Sequence, residues 1–242
     1  MTPVSPHRGD GGGDGARLLD LLVPAYMHPL VDPEAWDRII ALAPRLRAVI
    51  VNVFNGPGDA PDPAYREMLL RLDAAGVRTV GYVDTDYGRR PAARVVADVE
   101  AWLSRYRVRG AFLDQVASGL DLLDHYADLT VATRARGADY VVLNPGTLPH
   151  PGYVDLANVT VTFEGSWAEY RELEEPAWAR ALPPARFAHL VHEVPSDDVV
   201  RAAIHLAARR HVRTVYVTTG TGANPWDTVP ASLGVAIDQL GA

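Results

Sequence analysis

The chain is predicted to fold as one α/β domain, a single (β/α)8 TIM barrel with parallel strands. Three observations predict it. Strand-like and helix-like segments alternate from Leu21 to the C-terminal end, and no linker or low-complexity break interrupts them. Eight such units fit in about 225 residues, the size of a compact closed barrel. Polar and aromatic side chains gather just after the strands, whereas Arg, Gly and Ala dominate just before them. Repeated βα units require parallel strands joined by right-handed crossovers. An open, doubly wound sheet is the runner-up architecture.

The elements follow in order. Leu21 to Tyr26 is an apolar strand run, and Asp32-Pro33-Glu34 reads as the N-cap, N1 proline and first-turn acid of a helix to Ala43. Ala48 to Val53 is a β-branched run suited to a strand buried on both faces. After the loop Asn55-Gly56-Pro57-Gly58, Asp62 caps a helix that Gly76 closes, and Val77 to Val83 is the third strand. A helix from Pro91 to Tyr106 carries Val95, Val96, Val99, Trp102 and Leu103 at helical spacing. Gly110 to Asp114 is the fourth strand, a helix spans Leu120 to Arg136, and Tyr140 to Asn144 is the fifth strand. A short connection leads to the sixth strand at Val159 to Glu164, then to a helix at Trp167 to Trp178. Phe187 to Val194 is the seventh strand, Ser196 caps a helix to Arg210, Val212 to Thr218 is the eighth strand, and Val229 to Leu240 is the last helix.

Bulk properties narrow the function. With 48% hydrophobic and 22% charged residues among 242, the chain can bury a large core. A formal net charge of −7 argues against nucleic acid and anionic membranes as partners. The absence of cysteine removes disulfides, thiolate zinc sites and cysteine nucleophiles. Residues 1–16, with the run Gly11-Gly12-Gly13, read as a disordered leader before a barrel domain at 17–242. That leader lacks the apolar centre of a signal peptide, so the chain as written reads as cytoplasmic, or as secreted if a signal was removed. No stretch is long enough to insert in a membrane. No glycine fingerprint for nucleotides is present, and His28, His189 and His192 show no HxH or HExxH spacing. Neither a cofactor nor a metal is expected, and a monomer is favoured.

Active sites of such barrels lie at the C-terminal strand ends. Two apolar runs end there on a carboxylate: Gly110-Ala111-Phe112-Leu113-Asp114-Gln115 and Val159-Thr160-Val161-Thr162-Phe163-Glu164. Around these acids the other tips offer Tyr26, Asn52, Asp84, Asp86, Tyr87, Gln115, Asn144, Trp167, His192 and Trp226 as substrate-binding residues. Rings beside carboxylates and amides suit a sugar, whose apolar face stacks while its hydroxyls hydrogen-bond. Asp84 and Asp86 have a plainer reading as loop caps or partners of Arg89 and Arg90. Glu164 resists such a reading, because Glu is a poor N-cap and an unpaired buried carboxylate costs several kcal/mol, roughly.

The ordered strings Leu22-Val23-Pro24-Ala25-Tyr26, Gly81-Tyr82-Val83-Asp84-Thr85-Asp86-Tyr87-Gly88, Phe112-Leu113-Asp114-Gln115, Asn144-Pro145-Gly146, Phe163-Glu164-Gly165 and Asn224-Pro225-Trp226-Asp227 resemble the spherulin-4-like family. The likeness extends from Leu21 to the C-terminal end. It implies a glycoside hydrolase barrel that cuts polysaccharides containing galactosamine or N-acetylgalactosamine from within, with Asp114 and Glu164 as the catalytic pair. The chain departs from that pattern at Gln115, where a second acid is usual, and at Asp84, where histidine is common. Two rival functions are a carbohydrate-binding pseudoenzyme of the same fold and a metal-dependent hydrolase using Asp84, Asp86, Asp114 and His192.

Overall fold

A computed structural model of the protein describes residues 19–241. The expected leader at 1–16 lies outside the described residues. Eight parallel strands close in sequence order: β1 (Asp20–Ala25), β2 (Leu46–Val51), β3 (Thr79–Asp84), β4 (Gly110–Asp114), β5 (Tyr140–Leu143), β6 (Val159–Ser166), β7 (Phe187–His192) and β8 (Thr214–Val217). Pairing of β1 with β8 completes the ring, with Asp20 opposite Thr214 and Leu21 opposite Val215. The barrel is therefore the architecture, and the open sheet is not.

The helices between strands are α1 (Pro33–Ala41), α2 (Pro63–Ala74), α3 (Ala92–Ala101), α4 (Leu123–Ala135), α5 (Gly152–Leu156), α6 (Trp167–Glu172), α7 (Ala177–Arg180), α8 (Asp197–Ala208) and α9 (Leu233–Asp238). Asp32 and Asp62 cap α1 and α2 by accepting from Ala35 N and from Ala64 N and Tyr65 N, as their place before proline suggests. Ser196 stands at the N-cap of α8, but its side chain makes no capping bond. The helix expected from Trp167 to Trp178 is two helices, because Pro176 has no N–H to continue the ladder. The last helix starts at Leu233, past Pro230, rather than at Val229. The connection before β6 contains the unexpected turn α5.

The strands are buried on both faces, which is why their sequences read as continuous apolar runs. On β3 the two faces are distinct. Gly81 lies under the indole of Trp102, which is so close that a Cβ at 81 would stand 2.3 Å from Trp102 Cγ. Trp102 reaches this position from a π-helical turn, Trp102–Tyr106, appended to α3, and donates its indole N–H to the Tyr82 carbonyl at 2.7 Å. Tyr82, on the other face, meets the barrel interior, with its ring stacked on Phe112 at 6.3 Å and edge-on to Tyr26 at 5.6 Å.

Candidate active site

Register places Asp114 beside Asp84 at the ends of β4 and β3. Glu164 is not quite a strand tip, since β6 continues to Ser166. The pairing of β6 with β7 shifts register between Val161 and Phe163, one residue before Glu164. Such an irregularity re-aims the side chains that follow it. The Glu164 carboxylate thereby meets a residue of β5's tip, Asn144.

Asn144 is buried, and its amide nitrogen donates to Asp114 Oδ1 at 2.6 Å and to Glu164 Oε2 at 2.5 Å. Its Oδ1 accepts from the Gly146 N–H at 3.0 Å, which fixes which end of the amide faces the acids. Gly146 in turn accepts from Glu164 N at 2.9 Å, with its own φ of 66° in the region that favours glycine. Both acid oxygens lie within 2.6 Å of one nitrogen, so the two carboxylates are close neighbours.

Their protonation differs. Burial raises the Glu164 carboxyl to about 7, helped by the Asp114 charge and opposed by hydrogen bonds from Asn144 and the Trp226 side chain. Burial also raises Asp114, but the Tyr82 hydroxyl, the Gln115 backbone N–H and Asn144 all favour its anion. Near neutrality Glu164 is therefore about half protonated, while three hydrogen bonds favour the anion of its neighbour Asp114. Burial, with Asp114, Tyr82 and Glu164 nearby, holds the Tyr26 hydroxyl far above its ordinary value, so it stays a protonated donor.

Two cavities meet at Asp114. One, of about 480 Å³, is lined by Tyr26, His28, Asn52, Asn55, Tyr65, Tyr82, Asn224 and Trp226, among others. The other, of about 370 Å³, is lined by Tyr87, Gln115, Asn144, Pro145, Gly146, Glu164 and His192. Both volumes fall within the range of small-molecule clefts. Together they form a groove across the barrel mouth, with Asp114 where the two cavities join and Glu164 in the wall of the second. A third cavity, of about 540 Å³, lies on the outer flank between α2 and the end of α3; four arginines and the lone carboxylate Asp73 line it, without an acid pair.

The expected site residues thus divide. Tyr26, Asn52, Tyr87, Gln115, Asn144, His192 and Trp226 line the groove with the two acids. Asn52 also braces the β2 loop by accepting from Gly56 N, and the His192 ring stands edge-on to Trp226 at 5.6 Å. Asp84, Asp86 and Trp167 are not among the lining residues. Asp84 accepts from Asp86 N, Asp86 pairs with Arg89, and Trp167 packs on Tyr170. Among the described residues no three His, Asp or Glu side chains are grouped to hold a metal ion. No helix there is long and apolar enough to cross a membrane.

Tyr82 escaped the sequence reading, since a tyrosine inside an apolar run resembles core. Its signal was period two: it shares a strand face with Asp84. His28, two residues past Tyr26, also lines the groove and bonds Asp62 at 3.2 Å, although it is not among the binding residues expected from the sequence.

The model of the family described as Spherulation-specific family 4 matches residues 20–240. Spherulin-4 of Physarum polycephalum is 29% identical over 231 residues, covering 89% of this chain and 68% of that protein. The crystal structure of Aspergillus clavatus Sph3, in complex with GalNAc, superposes with a TM-score of 0.79 at 25% identity, covering 93% of this chain and 98% of that one. A chitinase from Chromobacterium violaceum shares the fold at 12% identity and a TM-score of 0.53, covering 91% and 98%.

Proposed function

The chain belongs to spherulation-specific family 4, and from that premise we infer that it is a glycoside hydrolase acting on polysaccharide that contains galactosamine or N-acetylgalactosamine. One observation carries the reading: two carboxyls, Asp114 and Glu164, share the Asn144 amide donor where two cavities join across the barrel mouth. The likeness to a barrel whose crystal structure holds GalNAc supports the sugar class.

In this reading Glu164 gives its proton to the leaving glycosidic oxygen, which its raised pKa suits. Asp114 faces the anomeric carbon as nucleophile, its charge held by Tyr82, Asn144 and the Gln115 N–H. Glu164, then ionised, takes a proton from the water that releases the sugar. The short reach between the two acids, on the order of 5 Å, favours this double displacement over inversion, which needs about 6.5–9.5 Å. Tyr26, Tyr87 and Trp226 form the stacking walls, and Asn52, Gln115 and His192 meet polar groups of the sugar. A groove with cavities on both sides of the acids suits attack within a chain.

The test is turnover of a galactosamine–N-acetylgalactosamine polymer by wild type, Asp114→Asn and Glu164→Gln, with products sized by mass spectrometry. Shorter oligosaccharides from wild type alone support the hydrolase. A wild type that binds the polymer and never cuts it, or variants that cut as well as wild type, defeats the proposal. Binding without cleavage is the outcome of the carbohydrate-binding alternative.

A further inference from the structure

Among the described residues the three most exposed large apolar side chains are Phe54 at 83%, Val31 at 80% and Leu30 at 78%. Scattered surface hydrophobics are ordinary. These three occupy the loops after β1 and β2, whose residues His28, Asn52, Val53 and Asn55 line one cavity of the groove.

Those loops are tied together by hydrogen bonds. His28 bonds Asp62 across them, and the Tyr65 hydroxyl lies 3.3 Å from the Met27 carbonyl and 3.0 Å from the Asn52 carbonyl. In the second loop Asn52 Oδ1 accepts from Gly56 N, while the Gly56 carbonyl accepts from both Val53 N and Phe54 N at 3.1 Å. Closing this turn requires Asn55 at φ 47° and Gly56 at φ 138°, backbone that most residues avoid. The turn holds Phe54 out in water, between Val53 and Asn55, which both line the cavity. A phenyl ring so placed forgoes the burial that stabilises other aromatics. A ring held there by a hydrogen-bonded turn is suited to a partner that arrives from the groove.

We propose that Phe54 is a stacking platform for a sugar ring of the same polysaccharide, at a subsite outside the groove, with Leu30 and Val31 completing an apolar lip. This rests on the glycoside reading of the groove. The occupant follows from continuity: a chain lying through the cavity of Tyr26 and Asn52 leaves the barrel across this lip. A pyranose presents an apolar face to a flat ring, whereas a charged or purely polar partner gains nothing from phenyl. The subsite serves only chains long enough to reach it.

The experiment compares wild type, Phe54→Ala and Phe54→Trp on the galactosamine–N-acetylgalactosamine polymer and on N-acetylgalactosamine disaccharide to tetrasaccharide. For Phe54→Ala we expect a loss of about three- to tenfold in kcat/KM on the polymer, expressed in KM, shrinking as the chain shortens and restored by Phe54→Trp. Equal losses on all lengths, a loss in kcat alone, or no loss on the polymer overturns it. Binding of the polymer to Glu164→Gln, with and without Phe54→Ala, separates the two readings. If Phe54→Ala weakens binding about three- to tenfold while wild type cleaves nothing, the platform stands and the hydrolase falls; if binding is unchanged, the platform falls whatever the turnover.

Discussion

Asp114 and Glu164, fifty residues apart in the chain, share a single hydrogen-bond donor, the Asn144 amide nitrogen, at 2.6 and 2.5 Å. A donor placed between two acids lowers the cost of holding both close together when one is ionised. It also couples them, because a proton arriving on one changes what the amide offers the other.

The pH profile follows from the Glu164 value. In the proposed role of general acid Glu164 works only while protonated, so kcat/KM is expected to fall as pH rises through about 7. As the proposed nucleophile Asp114 must ionise, so the acid limb is expected above the usual aspartate range because burial raises that group. A pH–rate series on the polymer checks both limbs.

The same shift bears on stability. Glu164 binds its proton more tightly in the folded state than unfolded, so its favourable contribution is complete below the ordinary glutamate range and is lost as pH rises through about 7. Glu164→Gln, with no charge to bury, is expected to melt higher than wild type at about pH 9 and similarly at about pH 4, a difference on the order of 3 kcal/mol. Equal melting temperatures at both pH values would count against the buried charge.

Asn144→Ala removes the shared donor. The Asn144 bond lowers the Glu164 pKa, so its loss is expected to move the basic limb of the profile to higher pH. The variant is also expected to lose about tenfold to a hundredfold in kcat, since both acids lose their positioning partner. An unmoved limb in a folded variant would remove Asn144 from the proton chemistry.

The closeness of the acids predicts the stereochemistry. Retention of anomeric configuration is expected, read by proton NMR from the first product formed before mutarotation. An inverted first product would sink the nucleophilic role of Asp114.

Gly81→Ala tests the support behind the site. Its Cβ would collide with Trp102, whose indole also holds the Tyr82 carbonyl. Overpacking of about 1–3 kcal/mol is expected, or a fall in Tm of roughly 3–10 °C for a chain this size. Activity should fall with it, as Tyr82 loosens against Asp114.

The barrel was legible because strands buried on both faces leave continuous apolar runs, and because Asp32-Pro33 and Asp62-Pro63 mark helix starts with a known mechanism. Both acids were legible as carboxylates that interrupt such runs. What the sequence hid was adjacency around the ring. Asn144 read as one more polar tip, and only closure of β4, β5 and β6 side by side places its amide between the acids. The irregularity that turns Glu164 is invisible too, since it arises from how β6 meets β7 and not from β6 alone. Phe54 precedes Asn55-Gly56-Pro57-Gly58, a string that signals a turn but carries no sign of which way the neighbouring ring faces.

The first strand's Tyr26 and the final loop's Trp226 stand in one wall, with Tyr26 N donating to the Trp226 carbonyl at 3.3 Å and Asn224 Nδ2 to the Tyr26 carbonyl at 3.4 Å. The wall therefore exists only once the loop after β8 has joined the start of the barrel. A protease that clips the loop after β8 ahead of Asn224 would unseat Tyr26 and Trp226 together without touching either acid.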